Sequence, residues 1–321
     1  TRCRRAFGGL QGPSRADDRR RARRPAPSPR RGAVASLHCI RARAPASSAN
    51  LGPGFDALAV ALGLYVEVSV QPAERLSVLT TGEGADLPAD ASHLAARVAV
   101  ETAGHDRLAI TVHAEIPVGR GLGSSAALAV AAAAAAGTPD PLAVGARFDG
   151  HPDNAAAAAM GGLVAATLVD GRVVARRLPL DPDLMFVVVV PDRSLPTEQA
   201  RAALPASVPH ADAAFNLGRM GLLIAGLADH RQLVAAATED RLHQGPRSGL
   251  FPQAAGLLKG LVDAGALAAC WSGAGPSLLA VTTGVAAGAV AQAARELLSD
   301  AGIAGAVIEL APDVEGVVVT A

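Results

Sequence analysis

The sequence has few aromatic residues, a single lysine and three cysteines. Phenylalanine, tryptophan and tyrosine together make up 2% of the 321 residues, although half of the chain is hydrophobic. The predicted core is therefore built from alanine, valine and leucine. Cys3, Cys39 and Cys270 are far apart and form no C-x-x-C pair, which excludes a disulfide framework and a cysteine zinc site. This cysteine usage fits a reducing compartment, and we expect a cytoplasmic protein.

The sequence also lacks a long apolar run and a secretory signal. The longest unbroken apolar stretch, residues 126–136, is shorter than the roughly 18 residues that a transmembrane helix needs. The arginine-rich start is not followed by the apolar core of a signal peptide. We therefore expect no membrane partner.

Positive charge is concentrated at the start of a chain whose formal net charge is zero. Residues 1–31 hold eleven arginines and two aspartates, a net charge of +9, so the remainder carries −9. An acidic body does not favour nucleic acid as a partner. Residues 1–36 are predicted to be a disordered extension, because their composition buries too little apolar surface to fold. A misassigned translation start, an organelle transit peptide and a nucleic-acid-binding arm are the alternatives.

Hydrophobic periodicity divides the rest of the chain into two units, residues 37–182 and 183–321. In the first unit, alternation predicts strands, 3.6-residue spacing predicts helices, and Asp170-Gly171 predicts a hairpin turn. The predicted strands are residues 37–44, 65–70, 76–79, 108–116, 164–169 and 172–176, and the predicted helices are residues 93–103 and 126–136.

The second unit has the order β-helices-β-β-α-β, which is that of a split βαβ sandwich. Its predicted strands are residues 184–190, 267–272, 277–282 and 305–310. Its predicted helices are residues 213–229, 232–243, 254–264 and 290–298.

A glycine-rich segment, residues 117–127 with the sequence P-V-G-R-G-L-G-S-S-A-A, follows a predicted strand and opens a predicted helix. Glycine permits positive φ and close backbone approach, and a helix N-terminus offers unpaired N–H groups to phosphate. Ser124 and Ser125 add hydroxyls that can cap the helix, contact phosphate or ligate Mg²⁺. No lysine follows the last glycine, so this is not a Walker A motif, and its spacing differs from the Rossmann fingerprint. A glycine turn with an ordinary serine N-cap is the alternative.

Three segments in this order resemble the three motifs of the GHMP kinases (galacto-, homoserine, mevalonate and phosphomevalonate kinases). They are residues 45–56 (P-A-S-S-A-N-L-G-P-G-F-D), residues 117–127 and residues 271–277 (W-S-G-A-G-P-S). The resemblance extends over nearly the whole chain from about residue 37. It implies an α+β, two-domain GHMP kinase fold, with a ribosomal protein S5 domain 2-like N-terminal domain and a ferredoxin-like C-terminal domain.

The resemblance also implies where ATP binds. The ATP phosphates would contact Pro117, Gly119, Arg120, Gly121, Leu122, Gly123, Ser124, Ser125 and Ala126. The turn that contains Gly273 and Gly275 would close over the site from the other domain.

Residues 49–56, A-N-L-G-P-G-F-D, have the form that the first motif takes in homoserine kinases. This resemblance implies that Asp56 receives the ammonium group of an amino-acid substrate, with Asn50 nearby. An aspartate that caps its own turn is the alternative.

Residues 149–154, D-G-H-P-D-N, resemble the E-G-H-P-D-N segment of the same family. The resemblance implies that Asn154 contacts the acceptor hydroxyl and makes His151 a weaker candidate for substrate contact, with a buried structural histidine as the alternative. Asp149 stands where many relatives carry glutamate. Its carboxylate is a candidate partner of Ser124 in holding Mg²⁺, and a solvated loop carboxylate is the alternative.

Two arginines complete the implied site. Arg201 lies in T-E-Q-A-R-A-A-L-P, and Arg247 lies in D-R-L-H-Q-G-P-R, where the proline is displaced by one position from the family pattern. The resemblance implies that both hold the substrate carboxylate, which guanidinium groups suit. The alternative is that Arg201 and Arg247 are solvated surface residues, as an isolated arginine usually is.

The implied reaction is transfer of the γ-phosphoryl group of ATP to the hydroxyl of L-homoserine, with no general base, because phosphoryl transfer depends mostly on positioning and charge neutralisation. A homodimer is a further expectation from the family. The alternatives are another GHMP small-molecule kinase, a non-catalytic nucleotide-binding member and a nucleic-acid binder that depends on the arginine-rich segment.

Overall fold

The computed structural model describes residues 39–320 of the chain, and within this range the strands form two sheets. Numbered along the chain, the strands are β1 Ile40–Asn50, β2 Gly54–Pro72, β3 Ser77–Gly82, β4 Leu108–Ala114, β5 Leu163–Val169, β6 Arg172–Leu178, β7 Leu184–Pro191, β8 Ala268–Trp271, β9 Leu278–Thr283, β10 Gly305–Leu310 and β11 Val318–Thr320. The helices are α1 Leu94–Ala103, α2 Ser124–Ala135, α3 Pro141–Asp149, α4 Pro152–Met160, α5 Thr197–Ala202, α6 His210–Ala228, α7 Gln244–Arg247, α8 Ala254–Asp263 and α9 Ala287–Asp300. The predicted extension, residues 1–36, and the first two residues of the first predicted strand lie outside the described residues.

The first sheet is built around the long strand β2. Strands β1 and β4 flank β2, β11 pairs with β1, and β3 pairs with β4 in parallel. The N-terminal part of β2 pairs with β5, which forms the predicted hairpin with β6 around Asp170-Gly171. Helices α2 and α4 pack on β1 and β2. The buried residues of α2 are alanines and one valine, so the helix packs closely against the sheet.

The second sheet is antiparallel and has the order β10-β7-β9-β8. With one helix between β9 and β10, it has the ferredoxin-like topology, so the predicted order β-helices-β-β-α-β is confirmed. Strand β7 is buried on both faces. Phe186 and Val188 belong to the same apolar cluster as Leu223 of α6, whereas Val187 and Val189 pack in the cluster that contains α8 and α9. A strand covered on both faces has a continuous apolar sequence, which explains the run of valines.

The helix predicted for residues 232–243 is wrong. The segment contains one short 3₁₀ turn, Ala235–Thr238, and the next α-helix is α7, which begins at Gln244. At the end of the segment the carboxylate of Asp240 accepts the backbone N–H groups of Leu242, His243 and Gln244 at 2.9, 2.8 and 2.6 Å. These N–H groups are thus bound by a side chain instead of by an upstream helical turn.

Other elements differ from the predictions in extent. β1 continues to Asn50 instead of ending at residue 44, because the residues after the irregularity at Pro45 still pair with β2. Helices α3 and α4 were not predicted, and each begins with a proline at its first turn, a favourable position for that residue. β11 was not predicted either, and it returns the end of the chain to the first sheet. The domain boundary at residue 183 stays a prediction.

None of the helices between residues 39 and 320 combines the length and the apolar surface of a membrane span.

Candidate active site

The three segments that resemble family motifs meet at the N-terminus of α2. The backbone N–H of Ser47, in the first segment, donates to the carbonyl of Leu122 at 3.1 Å. The hydroxyl of Ser272, in the third segment, donates to the carbonyl of Gly121 at 2.7 Å. The glycine loop is therefore held on one side by β1 and on the other side by the turn between β8 and β9.

The loop before α2 needs its glycines for two reasons. Gly119, Gly121 and Gly123 all have positive φ, at 68°, 77° and 66°. A Cβ atom on Gly121 would lie 2.2 Å from the carbonyl oxygen of Ser272, and one on Gly123 would lie 2.0 Å from Oγ of Ser47. The glycines therefore allow the loop backbone to lie directly against the first and third segments.

Helix α2 begins without a side-chain cap. Gly123 is its N-cap residue, in the left-handed conformation, and Ser124 is the first helical residue. This arrangement is not the ordinary serine N-cap that was the alternative. Since Ser124 and Ser125 line a cavity, the first-turn N–H groups and the positive end of the helix dipole lie beside that cavity.

The cavity has a volume of about 400 Å³ and takes its walls from both halves of the chain. The predicted site residues that line it are Asn50, Asp56, Pro117, Gly119, Arg120, Gly121, Leu122, Gly123, Ser124, Ser125, Asp149, His151, Asn154, Arg201, Arg247 and Gly273. Ala126 and Gly275 are outside the lining. Ala126 is fully buried, and Gly275 lies against the ring of Trp271.

Arg120 contributes its backbone to the loop, but its side chain is bound elsewhere. The guanidinium donates to the carbonyl of Pro191 and lies 4.0 Å from the carboxylate of Asp192. Arg120 thus ties the glycine loop to the end of β7.

Asp56 and Arg201 line the cavity and form a two-point ion pair. The two oxygens of Asp56 accept from Arg201 at 2.8 and 3.1 Å. Asp56 has a φ of 54°, and the turn that carries it is fixed by Asn50, whose Oδ1 accepts the N–H of Asp56 at 3.0 Å. Nδ2 of Asn50 donates to the carbonyl of Gly273 at 2.8 Å. Asn50 therefore connects the first segment to the third.

His151 continues this network away from Asp56. Nε of Arg201 lies 3.1 Å from Nε2 of His151, and Nδ1 of His151 lies 3.3 Å from Oδ2 of Asp149. The hydrogen bond with Asp149 raises the pKa of His151, whereas burial and the charge of Arg201 lower it. Asp149 is thus engaged by His151 and still lines the same cavity as Ser124.

Arg247 is buried, with 2% of its surface exposed. Its guanidinium contacts the carbonyls of Ala200 and Gly273, at 3.3 and 3.1 Å, and Nδ1 of His243 at 3.0 Å. Nε2 of His243 lies 2.8 Å from the carbonyl of Gly52, so the neutral ring donates from Nε2 and accepts at Nδ1. Burial lowers the pKa of His243. Burial also lowers the pKa of Arg247, to about 10, which leaves the guanidinium charged at neutral pH.

The two arginines converge on Phe55, which was not predicted as a site residue. The guanidinium carbons of Arg201 and Arg247 lie 5.8 and 5.6 Å from the centre of its ring. His243 stacks on the ring at 5.1 Å. Two guanidinium groups near one aromatic ring, with the carboxylate of Asp56 paired to Arg201, are an arrangement that can bind a small anion. The identity of Phe55 was visible in the first segment, but its position between two arginines depends on the tertiary fold.

Asn154 lies next to the N-terminus of α2. Its Oδ1 accepts from the hydroxyl of Ser47 at 2.9 Å. Asp153, also not predicted, lines the cavity with 2% of its surface exposed and accepts the N–H of Asn154 at 2.8 Å. Burial raises the pKa of Asp153 to about 6. Asp153 belongs to the segment of residues 149–154, but the sequence of that segment does not indicate that its side chain is buried.

The cavity also has an apolar lining that the sequence did not predict. Its apolar lining residues are Val66, Leu87, Pro88, Leu94, Val112, Val118 and Leu128. Leu87 and Val118 are large side chains that are 42% and 40% exposed, which fits a surface reserved for a ligand. These residues come from two strands, two helices and the loops between them, so no single sequence pattern could identify them as one wall.

The chain is similar to known proteins over most of its length. The model of the GHMP kinases N terminal domain matches residues 91–162, and that of the GHMP kinases C terminal domain matches residues 214–300. A homoserine kinase of Streptomyces avermitilis is 42% identical over 276 residues, which cover 80% of this chain and 90% of that protein. A homoserine kinase of Desulfitobacterium hafniense is 36% identical over 295 residues, which cover 87% of this chain and 99% of the relative.

The fold agrees with this similarity. The crystal structure of homoserine kinase from Cytophaga hutchinsonii superposes with a TM-score of 0.78 at 28% sequence identity, and the match covers 88% of this chain and 97% of that one. The sequence relatives, the family models and the strand order of both sheets all agree. The chain belongs to the GHMP kinases and, within them, to the homoserine kinases.

Proposed function

We propose that this chain transfers the γ-phosphoryl group of ATP to the side-chain hydroxyl of L-homoserine, which forms O-phospho-L-homoserine for threonine biosynthesis. One observation carries the proposal. The lining of the cavity that receives the N-terminus of α2 also includes the guanidinium groups of Arg201 and Arg247, with the carboxylate of Asp56 paired to Arg201. A polyphosphate binding region and a binding region for a small zwitterion are thus adjacent.

The amino-acid end of the site follows from complementary charge. Arg201 and Arg247 bind the substrate carboxylate, and Asp56 binds its ammonium group. The Asp56–Arg201 pair supports this assignment, because a zwitterion brings a group of opposite charge to each member of the pair. Asn50 fixes the turn that carries Asp56, and His151 contacts Arg201 from the opposite side.

The nucleotide end uses the loop and the apolar region. The N–H groups around residues 119–125 and the dipole of α2 bind the phosphates. The apolar lining of the cavity accommodates the adenine base. The hydroxyl of Ser124 and the carboxylate of Asp149 are oxygen donors in the same cavity, which is the ligand type that Mg²⁺ prefers. When bound there, Mg²⁺ would neutralise charge on the phosphates.

Transfer then depends on positioning. Asn154, beside the start of α2, orients the acceptor hydroxyl towards the γ-phosphate. A largely dissociative transition state makes early removal of the hydroxyl proton unimportant, so no side chain is assigned as a general base. The free thiols of Cys39 and Cys270 support a cytoplasmic location. The homodimer stays a prediction.

The test is ADP formation by the purified chain with ATP and Mg²⁺, with and without L-homoserine, and with ³¹P NMR to identify the product. We expect ADP release that requires L-homoserine, a phosphomonoester product and loss of turnover on addition of a chelator. Nucleotide binding without ADP release would instead indicate a non-catalytic member. Turnover only with another hydroxy compound would indicate a different GHMP specificity.

A further inference from the structure

Ser47 connects two parts of the proposed site. It lies in β1 and is fully buried. Its hydroxyl donates to Oδ1 of Asn154 at 2.9 Å, and its backbone N–H donates to the carbonyl of Leu122 at 3.1 Å. One residue therefore contacts both the side chain assigned to the acceptor hydroxyl and the loop assigned to the phosphates.

The Ser47–Asn154 hydrogen bond lies at the residue where α2 begins. A Cβ atom on Gly123 would be 2.0 Å from Oγ of Ser47 and 3.1 Å from Oδ1 of Asn154. Both oxygens thus lie against the α-carbon of Gly123. The hydrogen bond from Ser47 therefore fixes the amide of Asn154 relative to the first-turn N–H groups of α2. These N–H groups are the part of the helix that stabilises an anion.

A carboxamide presents an acceptor on one edge and a donor on the other. When Oδ1 accepts from Ser47, the NH₂ group is the part of Asn154 left for a ligand. An NH₂ group can donate to the oxygen of the acceptor hydroxyl or of the transferred phosphoryl group, whereas a flipped amide would direct its own oxygen towards the anionic phosphoryl oxygens, which cannot donate to it. The hydrogen bond from the hydroxyl of Ser47 to Oδ1 holds the orientation in which the NH₂ group is free.

We infer that Ser47 is a positioning residue for phosphoryl transfer, which holds the amide of Asn154 with its NH₂ group towards the reacting oxygens. The inference rests on the proposed function and adds a residue to which no role was assigned. Ser47 acts through Asn154 and not on the substrates, so it affects the rate of transfer more than the binding of ATP or L-homoserine.

The experiment is a double-mutant cycle between Ser47→Ala and Asn154→Ala, with kcat and both KM values measured for L-homoserine-dependent ADP formation. We expect Ser47→Ala to lower kcat roughly tenfold, the size of one lost hydrogen bond, and to leave both KM values within about twofold. Ser47→Thr, which keeps the hydroxyl, restores kcat. In the Asn154→Ala background, Ser47→Ala has no further effect on kcat.

Ser48→Ala is the matched control. Ser48 is the next residue in the same strand and is equally buried, but its hydroxyl lies 2.9 Å from that of Ser272 instead. Ser48→Ala should lower kcat by the same factor in the wild type and in the Asn154→Ala background, because Ser48 does not act through Asn154. The melting temperature of each variant shows whether it is folded. If Ser47→Thr does not fold, the double-mutant cycle with Asn154→Ala alone tests the role of Ser47.

Two outcomes would overturn the inference. One is a Ser47→Ala variant with the kcat of the wild type. The other is a Ser47→Ala substitution that lowers kcat by the same factor with and without Asn154→Ala, as the Ser48→Ala control should. An inactive wild-type enzyme overturns the proposed function together with this inference. An active wild type with an unaffected Ser47→Ala variant overturns the inference alone.

Discussion

The carboxylate of Asp56 and the guanidinium of Arg201 form two hydrogen bonds at 2.8 and 3.1 Å, although 145 residues separate them in the sequence. The two side chains are 41% and 39% exposed. Ion pairs with this exposure contribute little to stability, because water screens them and ordering them costs side-chain entropy. The pair is therefore better explained as two binding groups, one for each charge of a zwitterionic substrate.

Arg201→Ala should weaken binding of L-homoserine selectively. The loss of a charge-assisted hydrogen bond predicts an increase of about 10- to 100-fold in the KM for L-homoserine, with the KM for ATP nearly unchanged. Steady-state kinetics with each substrate varied in turn measure both effects. Arg219→Ala is the control, since Arg219 pairs with Glu239 and does not line the cavity. A large loss of ATP affinity in Arg201→Ala would refute its assigned role.

Arg247→Ala should affect stability as well as binding. The substitution leaves Nδ1 of His243 without a buried donor, removes one of the two donors to the carbonyl of Gly273, and creates a cavity. We expect a loss of about 2–4 kcal/mol in the free energy of unfolding, against less than about 1 kcal/mol for the half-exposed Arg201. Urea denaturation of the two variants measures the difference. Equal losses would contradict the distinction between a buried and an exposed arginine.

Gly121→Ala should disrupt the glycine loop more than Gly119→Ala. Both residues have positive φ, so both substitutions carry the same backbone strain of roughly 1 kcal/mol. Only Gly121 is in close contact with backbone, because its added Cβ would lie 2.2 Å from the carbonyl of Ser272, whereas the nearest atom to a Cβ on Gly119 is at 3.5 Å. Titration of ATP binding by calorimetry should show the larger loss in Gly121→Ala. Similar losses in both variants would mean that the approach of the third segment is unimportant.

Asp153→Asn should stabilise the protein in a pH-dependent way. Burial raises the pKa of Asp153 from 3.8 to about 6, so the folded wild type loses stability as the pH rises through this range. Well below pH 4 the carboxyl group is protonated in the folded and unfolded states, so the difference in stability between the two proteins should shrink towards zero as the pH falls. Above pH 6 the variant should be more stable by up to about 3 kcal/mol. Urea denaturation of both proteins from pH 4 to 8 provides the check, and a difference that does not change with pH would contradict it.

Local features of the site could be predicted from the sequence. The glycines of residues 117–127 and the helix behind them were predicted because positive φ and a helix N-terminus each have a local sequence pattern. The second sheet was predicted for a similar reason, since β7 has an apolar run typical of a strand buried on both faces. The false helix at residues 232–243 shows the limit of periodicity, because helical spacing there accompanies only a short 3₁₀ turn, and Asp240 binds the N–H groups at the end of the segment.

Long-range contacts of the site could not be predicted. The sequence favoured solvent for an isolated arginine, yet Arg247 is buried between a histidine and two carbonyls that come from different elements. Ser47 gave no indication of its contact with Asn154, which lies 107 residues away. The apolar residues of the cavity lining come from separate strands, helices and loops, so only the tertiary structure distinguishes a cavity wall from a core.

The most direct test of the account compares L-homoserine with analogues that lack one of its charges. ADP formation should be measured with L-homoserine, with 4-hydroxybutyrate, which lacks the ammonium group, and with 3-aminopropanol, which lacks the carboxylate. We predict that removal of either group lowers kcat/KM by at least about tenfold, because Asp56 or the two arginines lose a charged partner. Equal kcat/KM values for the three compounds, or turnover that does not depend on any of them, would contradict the central claim.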